Sequence, residues 1–172
     1  MIRNGEDTER FLGRCDMRVY LNTNIYGRPF DDLTQDRILK ESIASTNIHL
    51  LAFTRLISVI TSDVLLTEIS LIDDRSKREL VEAIVTYLSE DIIEIDDKII
   101  KLADSIKRDC SINDFMDCLH IASACFGVCR YYITCDDELV NKNLKIMSSV
   151  RAGGFEIRIV NPIIFVEEMG VI

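Results

Sequence analysis

The sequence predicts an α/β protein in which a parallel sheet carries helices on both faces. Three observations carry this. Short β-branched and aromatic runs alternate with helix-periodic stretches along nearly the whole chain, an order that suits parallel strands joined by helical crossovers. The 172 residues, 48% of them hydrophobic, suffice for one domain with a real core, and no apolar run is long enough to span a membrane. No internal repeat or low-complexity segment interrupts the alternation.

Residues 1–16 are polar and without a clear period, and read as an N-terminal extension to a single domain over residues 17–172. Met17 to Leu21 reads as the first strand, ended by Asn22-Thr23-Asn24, with Gly27, Pro29 and Asp31-Asp32 marking a loop. Thr34 is the expected N-cap of a long helix to about Leu56, with Ile38, Ile43, Ala44, Ile48, Leu51 and Leu56 as its buried stripe. Ile57 to Thr61 is a second strand, after which Ser62 or Asp63 caps a helix containing Leu65, Leu66, Glu68 and Ile69. Asp73-Asp74 to Leu88 is a further helix, with Leu80, Ile84 and Leu88 inward and its charged residues solvated. Ile92 to Ile95 is a short strand and Asp97 to Lys107 a helix.

The stretch from Asp114 to Asp137 organises the rest. Ser111 is the expected cap of a helix with Asp114 in its first turn, where negative charge suits the free N–H groups. Phe115, Leu119, Ala122 and Phe126 recur at spacings of three and four, giving one buried face. Asp117 falls off that face, roughly 200° from Phe115 at about 100° per residue. Gly127 stops the helix. Arg130 to Thr134 is the next strand, and Cys135-Asp136-Asp137 leaves its end. Glu138 to Ile146 reads as helical, Gly153-Gly154 as a break, Phe155 to Val160 as the last strand, and Asn161-Pro162 as the start of a final short helix.

Ligands of parallel α/β sheets sit beyond the C-terminal ends of the strands. Asn22, Asn24, Glu68, Asp117, Asp136 and Asp137 all fall at strand ends or near helix starts. Taken singly, such residues are ordinarily caps and turns. As a set they offer hard oxygen ligands suited to Mg²⁺ or Mn²⁺ rather than zinc, ions that activate water and stabilise phosphate charge. His120, one turn after Asp117, reads more simply as a packed, hydrogen-bonded histidine. The net charge of −9 argues against broad charge-driven nucleic-acid binding, though not against a nuclease whose cations bridge to phosphate. Four of the six cysteines, Cys110, Cys118, Cys125 and Cys129, fall in or beside the central helix as small hydrophobes, and no Cys-x-x-Cys pair occurs. No signal peptide opens the chain, so a cytoplasmic location is expected.

In this order the motifs resemble the PIN-domain family, and within it the small ribonucleases similar to VapC-type toxins. The carriers are Met17-Arg18-Val19-Tyr20-Leu21-Asn22-Thr23-Asn24 with Arg28-Pro29-Phe30-Asp31-Asp32, Ser62-Asp63-Val64-Leu65 with Glu68, Asp117-Cys118-Leu119-His120-Ile121-Ala122, Ile133-Thr134-Cys135-Asp136-Asp137-Glu138-Leu139, and Val160-Asn161-Pro162. The resemblance implies a three-layer α/β/α sandwich and a metal-dependent single-strand RNA endonuclease using Mg²⁺ or Mn²⁺. It also implies an RNA substrate, an antitoxin protein as partner and a homodimer. Its acidic site maps onto Asn22, Glu68, Asp117 and Asp136, with Asp137 replacing or supporting Asp136 and Thr134 as the hydroxyl that orients a ligand or water. The side chains of Asn22, Glu68, Asp117 and Asp136 are expected to converge at the C-terminal edge of the sheet, close enough to share one ion or its water shell.

One position departs from the pattern. The family's first carboxylate is Asn22 here, which keeps a ligating oxygen and loses the charge. Three explanations fit. The chain is degenerate and binds RNA or a partner without cutting; the residue was introduced to silence a nuclease; or Glu68, Asp117, Asp136 and Asp137 hold a metal without it. The alternative to an enzyme is thus a non-catalytic binding module on the same fold.

Overall fold

The computed structural model describes residues 17–171; the expected extension over residues 1–16 lies outside them. Parallel strands β1 (Arg18–Leu21), β2 (Ser58–Ser62), β3 (Ser89–Ile93), β4 (Tyr131–Ile133) and β5 (Arg158–Val160) form one five-stranded sheet in the order β3-β2-β1-β4-β5. The chain order leaves β1 central. Its Val19, Tyr20 and Leu21 are fully buried, as a strand covered on both faces must be. At the edge, β3 is largely exposed, and its Glu90 and Asp91 are paired with Arg55 and Arg18. Charge of this kind discourages edge-to-edge pairing with another chain.

The helices are α1 (Thr23–Gly27), α2 (Asp36–Phe53), α3 (Asp63–Ser70), α4 (Arg75–Leu88), α5 (Asp97–Cys110), α6 (Phe115–Phe126), α7 (Asp137–Asn141), α8 (Asn143–Ala152) and α9 (Pro162–Glu168). Helix α5 packs on α6 and α8 to make one layer; α2 packs on α9, and α1 on α2 and α4, to make another. The result is the three-layer α/β/α sandwich with a central parallel sheet.

Several local expectations are corrected. Helix α2 begins at Asp36 with Gln35 before it, and Ile43 and Leu56 are more than half exposed, while Ala44, Ile48 and Leu51 do face the core. In α4 Leu88 faces inward as expected, but with Val81 and Val85 in place of Leu80, which is 50% exposed, and Ile84, which is half-buried. Strand β3 starts at Ser89, three residues before Ile92, because hydrogen bonding to β2 and not its own apolar content places it. The stretch from Glu138 to Ile146 is two helices, α7 and α8, meeting at Lys142. The Gly27–Asp32 region, read as a loop, holds the end of α1 and a 3-10 turn over Arg28–Phe30.

Around α6 two differences bear on function. Ser111 does not cap it; Ser111 ends α5 in the left-handed conformation (φ 54°), and the cap of α6 is Asp114, whose Oδ1 accepts from the Met116 N–H at 2.8 Å. The first-turn carboxylate is therefore Asp117. Beyond the single stripe expected, Cys118 through Cys125 are all buried, because α6 lies between the sheet, α3 and α5. Gly127 does end the helix, yet at φ −70° it needs no left-handed freedom. An added Cβ would meet Ile60 Cγ2 at 2.8 Å, so close approach to β2 is what calls for glycine there. The described cysteines, Cys110, Cys118, Cys125, Cys129 and Cys135, are buried and free.

Candidate active site

A cleft of about 430 Å³ opens beyond the C-terminal ends of β1, β2 and β4. It is lined by Asn22, Thr23, Asn24, Gly27, Asp31, Glu68, Ile72, Lys77, Asp114, Asp117 and Asp136. Asn22, Glu68, Asp117 and Asp136 thus converge from four separate segments. The fold explains each placement. Asn22 follows β1 and caps α1, Asp136 follows β4 and caps α7, Glu68 lies in the second turn of the helix after β2, and Asp117 sits in the first turn of α6.

Asn22 is 7% exposed and uses both ends of its amide. Its Oδ1 accepts from the Asn24 N–H at 3.1 Å, which fixes the amide's orientation, and its Nδ2 donates to the Tyr132 hydroxyl at 2.5 Å. Asn24 spans to the next strand end. Its Nδ2 donates to Thr134 Oγ1 at 3.1 Å and its Oδ1 accepts from the Cys135 N–H at 3.0 Å. Thr134 Oγ1 also accepts from the Asp136 N–H at 3.1 Å. Thr134 is fully buried and lies behind the cleft wall, where it fixes the backbone of Asp136 rather than facing a ligand.

Asp137 is not brought to the cleft. Its two carboxylate oxygens accept from Arg37 at 2.6 and 2.7 Å, and that ion pair holds its carboxyl below the usual carboxylate range. Glu68 Oε2 accepts from Thr23 Oγ1 and lies 3.1 Å from His120 Nε2; the bond to His120 is the main reason its carboxyl is held low, against the opposing effect of burial. Asp117 behaves oppositely. Burial, with Asp114 and Asp136 nearby, pushes its carboxyl up to about 6. Lys77 reaches into the cleft wall from α4 and pairs with Asp31 at 2.6 Å. Asp31 and Lys77 line the cleft without being candidates in the sequence, and Asp114 joins them from the cap of α6. Asp114 carried a signal, since an acidic residue three before Asp117 matches the pattern of a helix start. Lys77 carried none, because only the packing of α4 against α1 brings it there.

Donor chemistry suits a hard dication: the carboxylates are oxygen ligands, and Asp117 is raised by burial and by the carboxylates of Asp114 and Asp136 beside it. Among the described residues, however, no three His, Cys, Asp or Glu side chains are gathered at metal-binding spacing. An ion in the cleft would meet these carboxylates partly through a retained water shell, as Mg²⁺ commonly does.

No protein-family model matches the chain, and no curated protein matches its sequence. Solved structures do match. FitAcB from Neisseria gonorrhoeae superposes with a TM-score of 0.55 at 13% identity, over 84% of this chain and 97% of that one. The fold is PIN-like. VapC20 of Mycobacterium tuberculosis, a sarcin-ricin loop cleaving toxin, aligns at 17% identity over 81% of this chain and 98% of its own, with a TM-score of 0.49. In this PIN-like fold the cleft lies where open α/β sheets place their ligands, outside the carboxyl ends of the strands. Among the described residues no helix is long and apolar enough to cross a membrane.

Proposed function

We propose that the chain is a metal-dependent single-strand RNA endonuclease of PIN type, weakened by Asn22. The observation that carries the reading is the meeting of Asn22, Glu68, Asp117 and Asp136 on one cleft, since the same four positions carry the sequence resemblance. Asp117 and Asp136 would hold an Mg²⁺ or Mn²⁺ ion with Glu68, while Asn22 would supply at most a neutral oxygen. Such an ion, when bound, supplies Lewis-acid stabilisation of phosphate charge and lowers the pKa of a bound water. Lys77, the cation among the described cleft residues, is placed to meet a backbone phosphate and offsets the acidic wall. Thr134 and Asn24 hold Asp136 in register with the end of β1.

The test compares cleavage of single-stranded RNA with Mg²⁺, with Mn²⁺ and with chelator, for the wild type and Asp117→Asn. Cleavage that requires metal and Asp117 supports the reading; chelator-insensitive cleavage by both proteins overturns it.

A second reading keeps the fold as a non-catalytic binding module for RNA or an antitoxin-like protein. It is favoured by Asn22, whose amide is already committed at both ends to Asn24 and Tyr132. An apolar groove between α2 and α4, where Leu50, Phe53 and Tyr87 are each more than half exposed, is the surface an antitoxin would cover. Absence of cleavage by a folded, metal-bound protein would favour this alternative.

A further inference from the structure

Beneath the cleft runs a line of side-chain hydrogen bonds for which the activity proposed above gives no role. His120 on α6 is 1% exposed. Its Nε2 lies 3.1 Å from Glu68 Oε2 and its Nδ1 2.8 Å from the Tyr20 hydroxyl. The Tyr20 hydroxyl lies 2.6 Å from Ser62 Oγ, which accepts from the Leu65 N–H at 3.3 Å as the cap of α3. The direction of the line follows from its two ends. A carboxylate only accepts, so His120 Nε2 carries a proton and donates to Glu68. In the neutral ring Nδ1 is then the acceptor, Tyr20 donates to it, and Ser62 donates to Tyr20. Every member is satisfied in that one arrangement.

The line ends on one oxygen of Glu68. Oε2 takes the donors from His120 and Thr23, whereas Oε1 has no hydrogen-bond partner among the described residues, and the side chain is 41% exposed. Packing alone does not call for this. The neighbours of His120 on α6, Leu119 and Ile121, are apolar, and an apolar core would place no imidazole, phenol and hydroxyl together here, since each is costly to bury unless hydrogen-bonded. What the line adds is a fixed direction for one carboxylate.

We propose that His120, backed by Tyr20 and Ser62, is a positioning residue that aims the free Oε1 of Glu68 into the cleft toward a divalent cation. The cation rests on the nuclease reading of the same cleft; the hydrogen-bonded line does not. Partners of this kind behind a metal-binding carboxylate are commonly worth about ten- to hundredfold in metal affinity.

The experiment titrates Mn²⁺ into the wild type, Asp117→Asn, His120→Leu and His120→Gln by calorimetry, and records the imidazole ¹⁵N spectrum of the wild type and Tyr20→Phe. His120→Leu is expected to weaken Mn²⁺ binding about tenfold or more. His120→Gln, whose amide can donate to Glu68 and accept from Tyr20, is expected to recover most of that loss. The wild-type ring is expected as the Nε2–H tautomer, with that preference reduced in Tyr20→Phe, a variant that removes one atom and serves if His120→Leu does not fold. Mn²⁺ binding that needs Asp117 and is indifferent to His120→Leu overturns this inference alone. So does an Nδ1–H ring, or a spectrum unchanged in Tyr20→Phe. A wild type that binds no Mn²⁺ overturns the nuclease reading of the cleft, and this inference with it.

Discussion

Asn22 and Asp117 face the same cleft with opposite electrostatic problems. At Asn22 a charge is missing. Asn22→Asp is nearly isosteric, Asp is as good a helix cap, and the Tyr132 hydroxyl can donate to the new carboxylate in place of accepting from the amide. A unit charge roughly 4 Å from an ion is worth on the order of 4 kcal/mol at an effective dielectric of about 20, before desolvation and screening. We therefore expect Asn22→Asp to raise Mn²⁺ affinity and metal-dependent RNA cleavage by about tenfold or more. Calorimetry and a cleavage assay check this, and Asp117→Asn in the same background should remove both gains. At Asp117 a charge is in excess. Its folded pKa of about 6 lies above the ordinary value of 3.8, so the folded state binds this proton more readily than the unfolded chain does. Ionised Asp117 therefore costs the metal-free fold stability as pH rises through that window. Asp117→Asn should raise the melting temperature of the metal-free protein at pH 7.5, and the gain should vanish as pH falls below the unfolded value of 3.8, where both states become protonated. A variant that melts lower at pH 7.5 would show that Asp117 has a balancing partner.

Between elements, the buried Glu41 of α2 is the tie. At 1% exposure it pairs with Arg28 at 2.9 Å and with Arg37 at 2.9 Å, and accepts from Asn161 Nδ2, ahead of α9, at 3.1 Å. Arg37 also donates to the Cys135 carbonyl at 3.3 Å and grips Asp137, so the same cluster holds the β4–α7 turn that carries Asp136. Removing one partner of a buried ion cluster leaves the others uncompensated. Glu41→Ala should destabilise the protein by about 3–5 kcal/mol in urea unfolding. It should also weaken Mn²⁺ binding, although Glu41 does not line the cleft. Unchanged affinity in the folded variant would show that Asn24 and Thr134 alone suffice to hold Asp136.

For the whole molecule, the pH dependence of stability has an identifiable source in His49. It stacks on Tyr26 at 5.6 Å between ring centroids, its Nε2 is buried without a hydrogen-bond partner, and burial pushes its pKa down to about 4. The unfolded chain, with a histidine near 6.5, binds this proton first. The stability held at pH 7 is thus lost progressively as pH falls from about 6.5 toward 4, by up to about 3 kcal/mol. Asp117 acts in the opposite sense over part of that range, so the test compares urea unfolding at pH 7, 5.5 and 4.5 for the wild type and His49→Phe. The variant should lose most of the downward slope; an equal slope in both would assign acid sensitivity to other groups.

By itself the sequence determined the order of elements, the parallel character of the sheet and the segments that carry Asn22, Glu68, Asp117 and Asp136. Those features are local: strand-forming runs, capping residues and Gly127 announce themselves within a few positions. Where several faces of a helix are apolar, local pattern could not decide. Val81 and Val85 face inward rather than Leu80 because α4 must meet α1 and α3, and Ile43 stays exposed because α2 spends its buried face on α9. Tertiary structure alone separated Asp136 from Asp137, neighbours in sequence that the cap of α7 and the grip of Arg37 send in different directions. It alone joined His120 to Glu68, 52 residues apart, and to Tyr20, 100 residues apart. Such pairings depend on how α3, α6 and β1 pack together, and no periodicity along one chain segment records the side chains another segment will bring against it.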